Sequence, residues 1–170
     1  KERRDAAAVT YLIARTGLRV GSERETGGAV QAYGATTLEG RHVSVSGDMT
    51  LLRFVGKKGV EIEHAVKDRH LASYLRSAAT RGQERVFETS DAAVRDYFKG
   101  LAGEKFKVKD MRTWQGTATA LAAMRRIPTP VSKTAFAKAR REVAKRVAEH
   151  LGNTPTVALA AYIDPAVFAR

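Results

Sequence analysis

The stretch HVSVSGDMTLLRFVGKKGVEIEHAV, residues 42–66, decides the fold. Its apolar residues recur at alternate positions: Val43 and Val45, Leu52 and Phe54, then Val60, Ile62 and Val66. Period two marks a half-buried strand, because successive side chains of an extended chain point to opposite faces. Ser46-Gly47-Asp48 and Gly56-Lys57-Lys58-Gly59 separate the runs, and glycine supplies the positive φ of tight hairpins. The expectation is three short strands in a small antiparallel sheet.

The flanks read differently. Upstream, residues 3–15 are rich in helix formers and carry Ala8, Val9, Leu12 and Ile13 on one face. Gly17, the run Leu18-Arg19-Val20-Gly21 and a Thr26-Gly27-Gly28 loop then break the pattern. Beyond Lys67 the reading is helical, with helices expected over residues 68–79, 90–101, 109–126, 132–151 and 155–162. Ser90 and Ser132 are good caps, Gly103, Pro128 and Gly152 good stops, and Glu84-Arg85-Val86-Phe87 reads as an extended connector. The fold class is therefore α+β and mostly α, a helical domain with a three-stranded sheet near its N-terminal third. A length of 170 residues, 44% hydrophobic, supports one core rather than two, and no repeat or linker divides it, so residues 1–170 form a single domain. The opening Lys1-Glu2-Arg3-Arg4, without an initiator Met, is what an internal piece of a longer polypeptide would show.

Charge narrows the partners. Thirty Lys and Arg against 18 Asp and Glu leave a formal +12, which suits a polyanion, nucleic acid before an acidic membrane. Ten of those twelve net charges lie in residues 99–146, where 13 Lys or Arg face only Glu104, Asp110 and Glu142. With no cysteine there is no disulfide, thiolate nucleophile or cysteine-type zinc site. Apolar runs such as residues 117–124 fall well short of the roughly 18–20 residues of a membrane span. The histidines His42, His64, His70 and His150 lack paired metal spacing, and no aspartate cluster could hold magnesium. P-loop, GxGxxG and GxSxG motifs are absent too, so no metal and no cofactor is expected. The chemical material that remains is Arg, Lys and Tyr.

Four stretches fit together as machinery for attacking a phosphodiester: Leu18-Arg19-Val20-Gly21, Phe54-Val55-Gly56-Lys57, Lys109-Asp110-Met111-Arg112-Thr113, and Leu151-Gly152-Asn153-Thr154-Pro155 followed nine residues after Asn153 by Tyr162. In their order and spacing the chain resembles the type IB DNA topoisomerases, especially the compact poxvirus and bacterial kind, from about residue 15 to Tyr162. The resemblance implies the helical catalytic domain of a DNA breaking-rejoining enzyme, and the expectation is a fragment that lacks the family's usual separate N-terminal clamp domain. It implies duplex DNA as substrate, monomeric action without ATP or metal, and a cytoplasmic location, nucleoid-associated in a bacterium. Tyr162 would be the nucleophile, forming a 3'-phosphotyrosyl bond that stores the backbone energy. Arg19 and Arg112 would stabilise the charge that grows on the phosphoryl oxygens, a task for bidentate, permanently charged groups. Lys57 resembles the family's general acid for the departing 5' oxygen, with Lys58 as its rival. Lys58, Lys107, Lys109, Lys133 and Arg140 are the candidate contacts to DNA.

Two departures matter. Many members carry histidine at Asn153, and an amide donates a hydrogen bond but moves no proton. Tyrosine recombinases share the fold and the paired arginines, yet usually show His-x-x-Arg where this chain has Lys109-x-x-Arg112. Taken singly, each residue has an ordinary reading. Lys57 and Lys58 make a charged hairpin turn, Asn153 a cap after Gly152, and His150 a helix-end residue or a fallback proton carrier. Trp114 is assigned to the core. The class alternative is a noncatalytic module that grips phosphates through residues 99–146; relaxation of supercoils without metal separates the two.

Overall fold

The computed structural model describes residues 1–26 and 31–169. The chain opens with α1 (Glu2–Thr16), whose Val9, Leu12 and Ile13 are fully buried, and Gly17 ends the helix in the left-handed conformation with φ 70°. A single turn, α2 (Glu23–Thr26), follows. The expected loop at Thr26 runs into Gly27 and Gly28, which lie outside the described residues.

Three strands, β1 (Val43–Ser46), β2 (Met49–Val55) and β3 (Glu61–Lys67), form an antiparallel sheet in the order β1-β2-β3. The register sets Val43 opposite Leu52, Phe54 opposite Ile62, Leu52 opposite His64 and Thr50 opposite Val66. These residues share the inward face, while Arg53 and Glu63 pair at 2.7 Å on the outer face. The alternation thus gives the sheet it predicts. At the second turn the positive φ falls on Lys58 (65°) and Gly59 (73°) rather than on Gly56, because the tip tightens into a 3-10 turn over Lys57–Gly59.

The helical remainder comprises α3 (Arg69–Leu75), α4 (Asp91–Ala102), α5 (Val108–Met124), α6 (Lys133–Leu151) and α7 (Pro155–Ala161). Ser90, Ser132 and Thr154 accept from the backbone N–H groups of Ala93, Ala135 and Val157 at 3.1, 3.1 and 3.3 Å, the side-chain caps that start α4, α6 and α7. Helix α3 is shorter than expected. It stops at Leu75, and the chain turns tightly through Gly82, whose φ is 61°, toward an extended segment where Arg85 bridges Glu39. Among the described residues no helix is long and apolar enough to cross a membrane.

Two apolar clusters result. One gathers α1, the sheet, α3 and the starts of α4 and α5; the other gathers the remainder of α5 with α6, α7 and Val167. Helix α5 spans both, contributing Val108 to the first and Ala120 and Met124 to the second. Arg112 sits between those positions and is only 5% exposed. Trp114, expected in the core, is 65% exposed. At about 100° per residue it stands about 200° around the helix from Arg112, and Arg112, Gly116, Ala120 and Ala123 occupy the packed face.

Candidate active site

Arg112 is held by the ends of two helices. Its Nη1 donates to the Gly17 carbonyl just past α1, and its Nη2 donates to the Leu151 carbonyl of α6 at 3.0 Å. Carbonyls at helix C-termini lack intrahelical partners and carry partial negative charge, so they seat a cation well. They leave Arg112 Nε buried with no partner. No carboxylate among the described residues shares this seat; burial lowers the Arg112 pKa, and the Tyr162 hydroxyl works against that fall.

Tyr162 closes α7, its N–H donating to the Ala158 carbonyl at 3.0 Å, and is buried. The Arg112 guanidinium carbon lies 5.1 Å and Lys109 Nζ 5.7 Å from its ring centroid. Burial pushes the phenol pKa up, but the hydrogen bond and charge of Arg112, followed by the charges of Arg19 and Lys109, outweigh it and leave the phenol below its ordinary value. Cations around a phenol favour the phenolate, the reactive form of a tyrosine nucleophile.

Arg19 follows the Gly17 cap in a segment whose Arg19 and Val20 carbonyls accept from Ala35 and Thr36 N–H groups, each at 2.8 Å. Its Nη2 donates to Asn153 Oδ1 at 2.8 Å. That bond fixes the amide so that Asn153 Nδ2, also buried, has no partner. Among the described residues the site therefore holds two unsatisfied donors, Arg112 Nε and Asn153 Nδ2, and a buried cation with no counter-carboxylate. Such groups are costly unless an anionic acceptor arrives.

A cavity of about 740 Å³ is lined by Arg19, Lys57, Lys107, Lys109, Arg112 and Tyr162. The structure thus brings seven expected residues into one place: these six line the cavity, Lys57 reaching it from the hairpin tip, and Asn153 joins through Arg19. Lys58, in the left-handed conformation on the same turn, does not line it. Lys133 opens α6 and does not line it, and Arg140 stacks over Phe168 at 5.6 Å. His150, the fallback proton carrier, packs against His64 instead, and burial first and Arg112 second lower its pKa.

Sequence reasoning missed Gly116 and Thr117. A Cβ on Gly116 would stand 2.3 Å from the Tyr162 carbonyl oxygen, so only glycine lets α5 receive the end of α7. Thr117 Oγ1 donates to that same carbonyl at 3.5 Å and accepts from Asp164 N–H at 3.0 Å. A glycine in mid-helix costs about 1 kcal/mol against alanine, and that misfit with its surroundings is the signal that was available.

Comparison with known proteins agrees with this geometry. The family described as eukaryotic DNA topoisomerase I, catalytic core, matches residues 1–164. DNA topoisomerase 1B of Acanthamoeba polyphaga mimivirus is 24% identical over 151 residues, covering 78% of this chain and 45% of the viral protein. The chain spans less than half the length of that relative.

Proposed function

Because the chain belongs to the family of the eukaryotic DNA topoisomerase I catalytic core, we propose that it relaxes supercoiled duplex DNA by cutting and rejoining one strand through Tyr162. The observation that carries this reading is the buried Arg112, with a free Nε, beside the Tyr162 hydroxyl and the orphaned Asn153 amide. In the reaction Tyr162 Oη loses its proton to water and bonds to phosphorus as the bond from phosphorus to the 5' oxygen breaks. Lys57 gives a proton to that oxygen, and the 3' phosphate stays on the protein. Arg19, Arg112 and Asn153 Nδ2 face the nonbridging oxygens, where charge rises from about one to about two, so they bind the transition state more tightly than the substrate. Religation reverses each step, so bond energy is conserved and ATP is not consumed. Lys107 and Lys109 at the cavity rim meet flanking phosphates, and one copy of the chain suffices.

The test is relaxation of a supercoiled plasmid in EDTA, read after the protein is removed. Altered linking number is the expected result; unchanged topology with intact DNA binding would leave a phosphate-gripping module instead.

Gly116→Ala probes the seat of the nucleophile. A displacement of about 1 Å at reacting atoms costs about 10²-fold, so single-turnover cleavage should slow by that much while duplex affinity stays within a few fold. A variant that cleaves at the parental rate would show that α7 adapts to the added methyl.

A further inference from the structure

The hairpin that presents Lys57 is fastened to the turn that presents Asn153 at two points. At the first, Gly152, left-handed with φ 63°, receives Ile62; a Cβ there would lie 2.3 Å from Ile62 Cδ1. At the second, two residues further along the same face of β3, the His64 ring meets the His150 ring edge-on, centroids 5.1 Å apart and planes at 87°. His64 is buried, and neither imidazole lines the cavity.

An imidazole at an inward position that alternates with Ile62 and Val66 is out of keeping with its register, since a buried polar ring costs free energy that an aliphatic side chain would not. Burial, then the charges of His150 and Arg112, push His64 down to about 4, with the His150 backbone pulling the other way as a hydrogen-bonding partner. His64 is thus neutral near pH 7 and can sit beside the buried Arg112 without repelling it. What they join is informative. Strand β3 leads back to Lys57 at the hairpin tip, and α6 leads through Gly152 to Asn153.

We propose that His64 is a positioning residue, which by packing on His150 sets the hairpin over the Asn153 turn and places the Lys57 ammonium at the departing 5' oxygen; this rests on the reading of Lys57 as the general acid.

The experiment compares single-turnover cleavage of two duplexes, one ordinary and one with sulfur replacing the bridging 5' oxygen at the cleavage site. A thiolate leaves without a proton, so a defect that acts through the general acid vanishes on the sulfur substrate. His64→Ala should cleave the ordinary duplex about 10- to 100-fold slower and come within about 3-fold of the parent on the sulfur duplex. His64→Gln keeps a donor toward the His150 backbone and should regain most of the ordinary rate. His150→Ala should repeat the His64→Ala pattern, and with His64→Gln it decides the matter if His64→Ala fails to fold. Equal defects on both substrates, or no defect, overturn the proposal. Lys57→Ala runs alongside. If sulfur fails to rescue it, the general-acid reading itself falls; if sulfur rescues it but not His64→Ala, only the positioning role falls.

Discussion

Tyr162→Phe should bind duplex DNA as the parent chain does and form no covalent adduct, a loss of at least about 10⁴ in cleavage, the scale seen when a nucleophile is deleted. The substitution keeps the ring and its packing and deletes only the hydroxyl, with its hydrogen bond to Arg112. The ring is buried, Arg112 and Lys109 lie over it, and Phe presents the same face to both. The assay uses a duplex whose cleaved strand leaves a very short 5' fragment. That fragment diffuses away, religation is prevented, and the parent accumulates as a 3'-phosphotyrosyl complex. An adduct through another tyrosine such as Tyr97, or on a 5' phosphate, would overturn the mechanism.

For Arg112→Lys the expected loss of cleavage is about 10³, accompanied by lower stability. One guanidinium spans the Gly17 and Leu151 carbonyls and still keeps Nε, buried and unpartnered, as a third donor. A lysine ammonium is a point donor on a flexible stem and cannot occupy all three directions. One buried carbonyl then lacks a partner, at about 1–3 kcal/mol, and the loss of one transition-state donor alone is worth about 10²–10³ in rate. Thermal melting and single-turnover cleavage on the same preparation measure the two effects separately. A lysine variant that cleaves within 10-fold of the parent would show that charge, without the fork, suffices.

The sequence made the frame legible because the frame depends on local periodicity. Alternation over residues 42–66 predicts the sheet and its inward face, and the serine caps predict the starts of α4 and α6. It also pointed to Arg19, Lys57, Arg112, Asn153 and Tyr162, because their order along the chain resembles that of the type IB topoisomerases. What it could not convey is which face of a helix meets another. On α5 the usual preference is inverted: Arg112 takes the buried seat and Trp114 the open one, because the carbonyls of two helix ends can satisfy a guanidinium where an indole would waste them. The seat of Tyr162 on Gly116 and the His64–His150 contact join positions 46 and 86 residues apart, and no local pattern encodes such pairs.

The open position of Trp114 has an optical consequence. It is the sole tryptophan among 170 residues, so the intrinsic emission of the chain reports the outer surface of α5 and little else. A ring 65% exposed emits at long wavelength and is readily reached by a soluble quencher. DNA bound in the cavity as proposed would touch the opposite side of the helix and leave that signal nearly unmoved, whereas anything laid over the outer surface would shift it to the blue. The protein thus carries an unlabelled fluorophore that tells events at the cleft from events on its back.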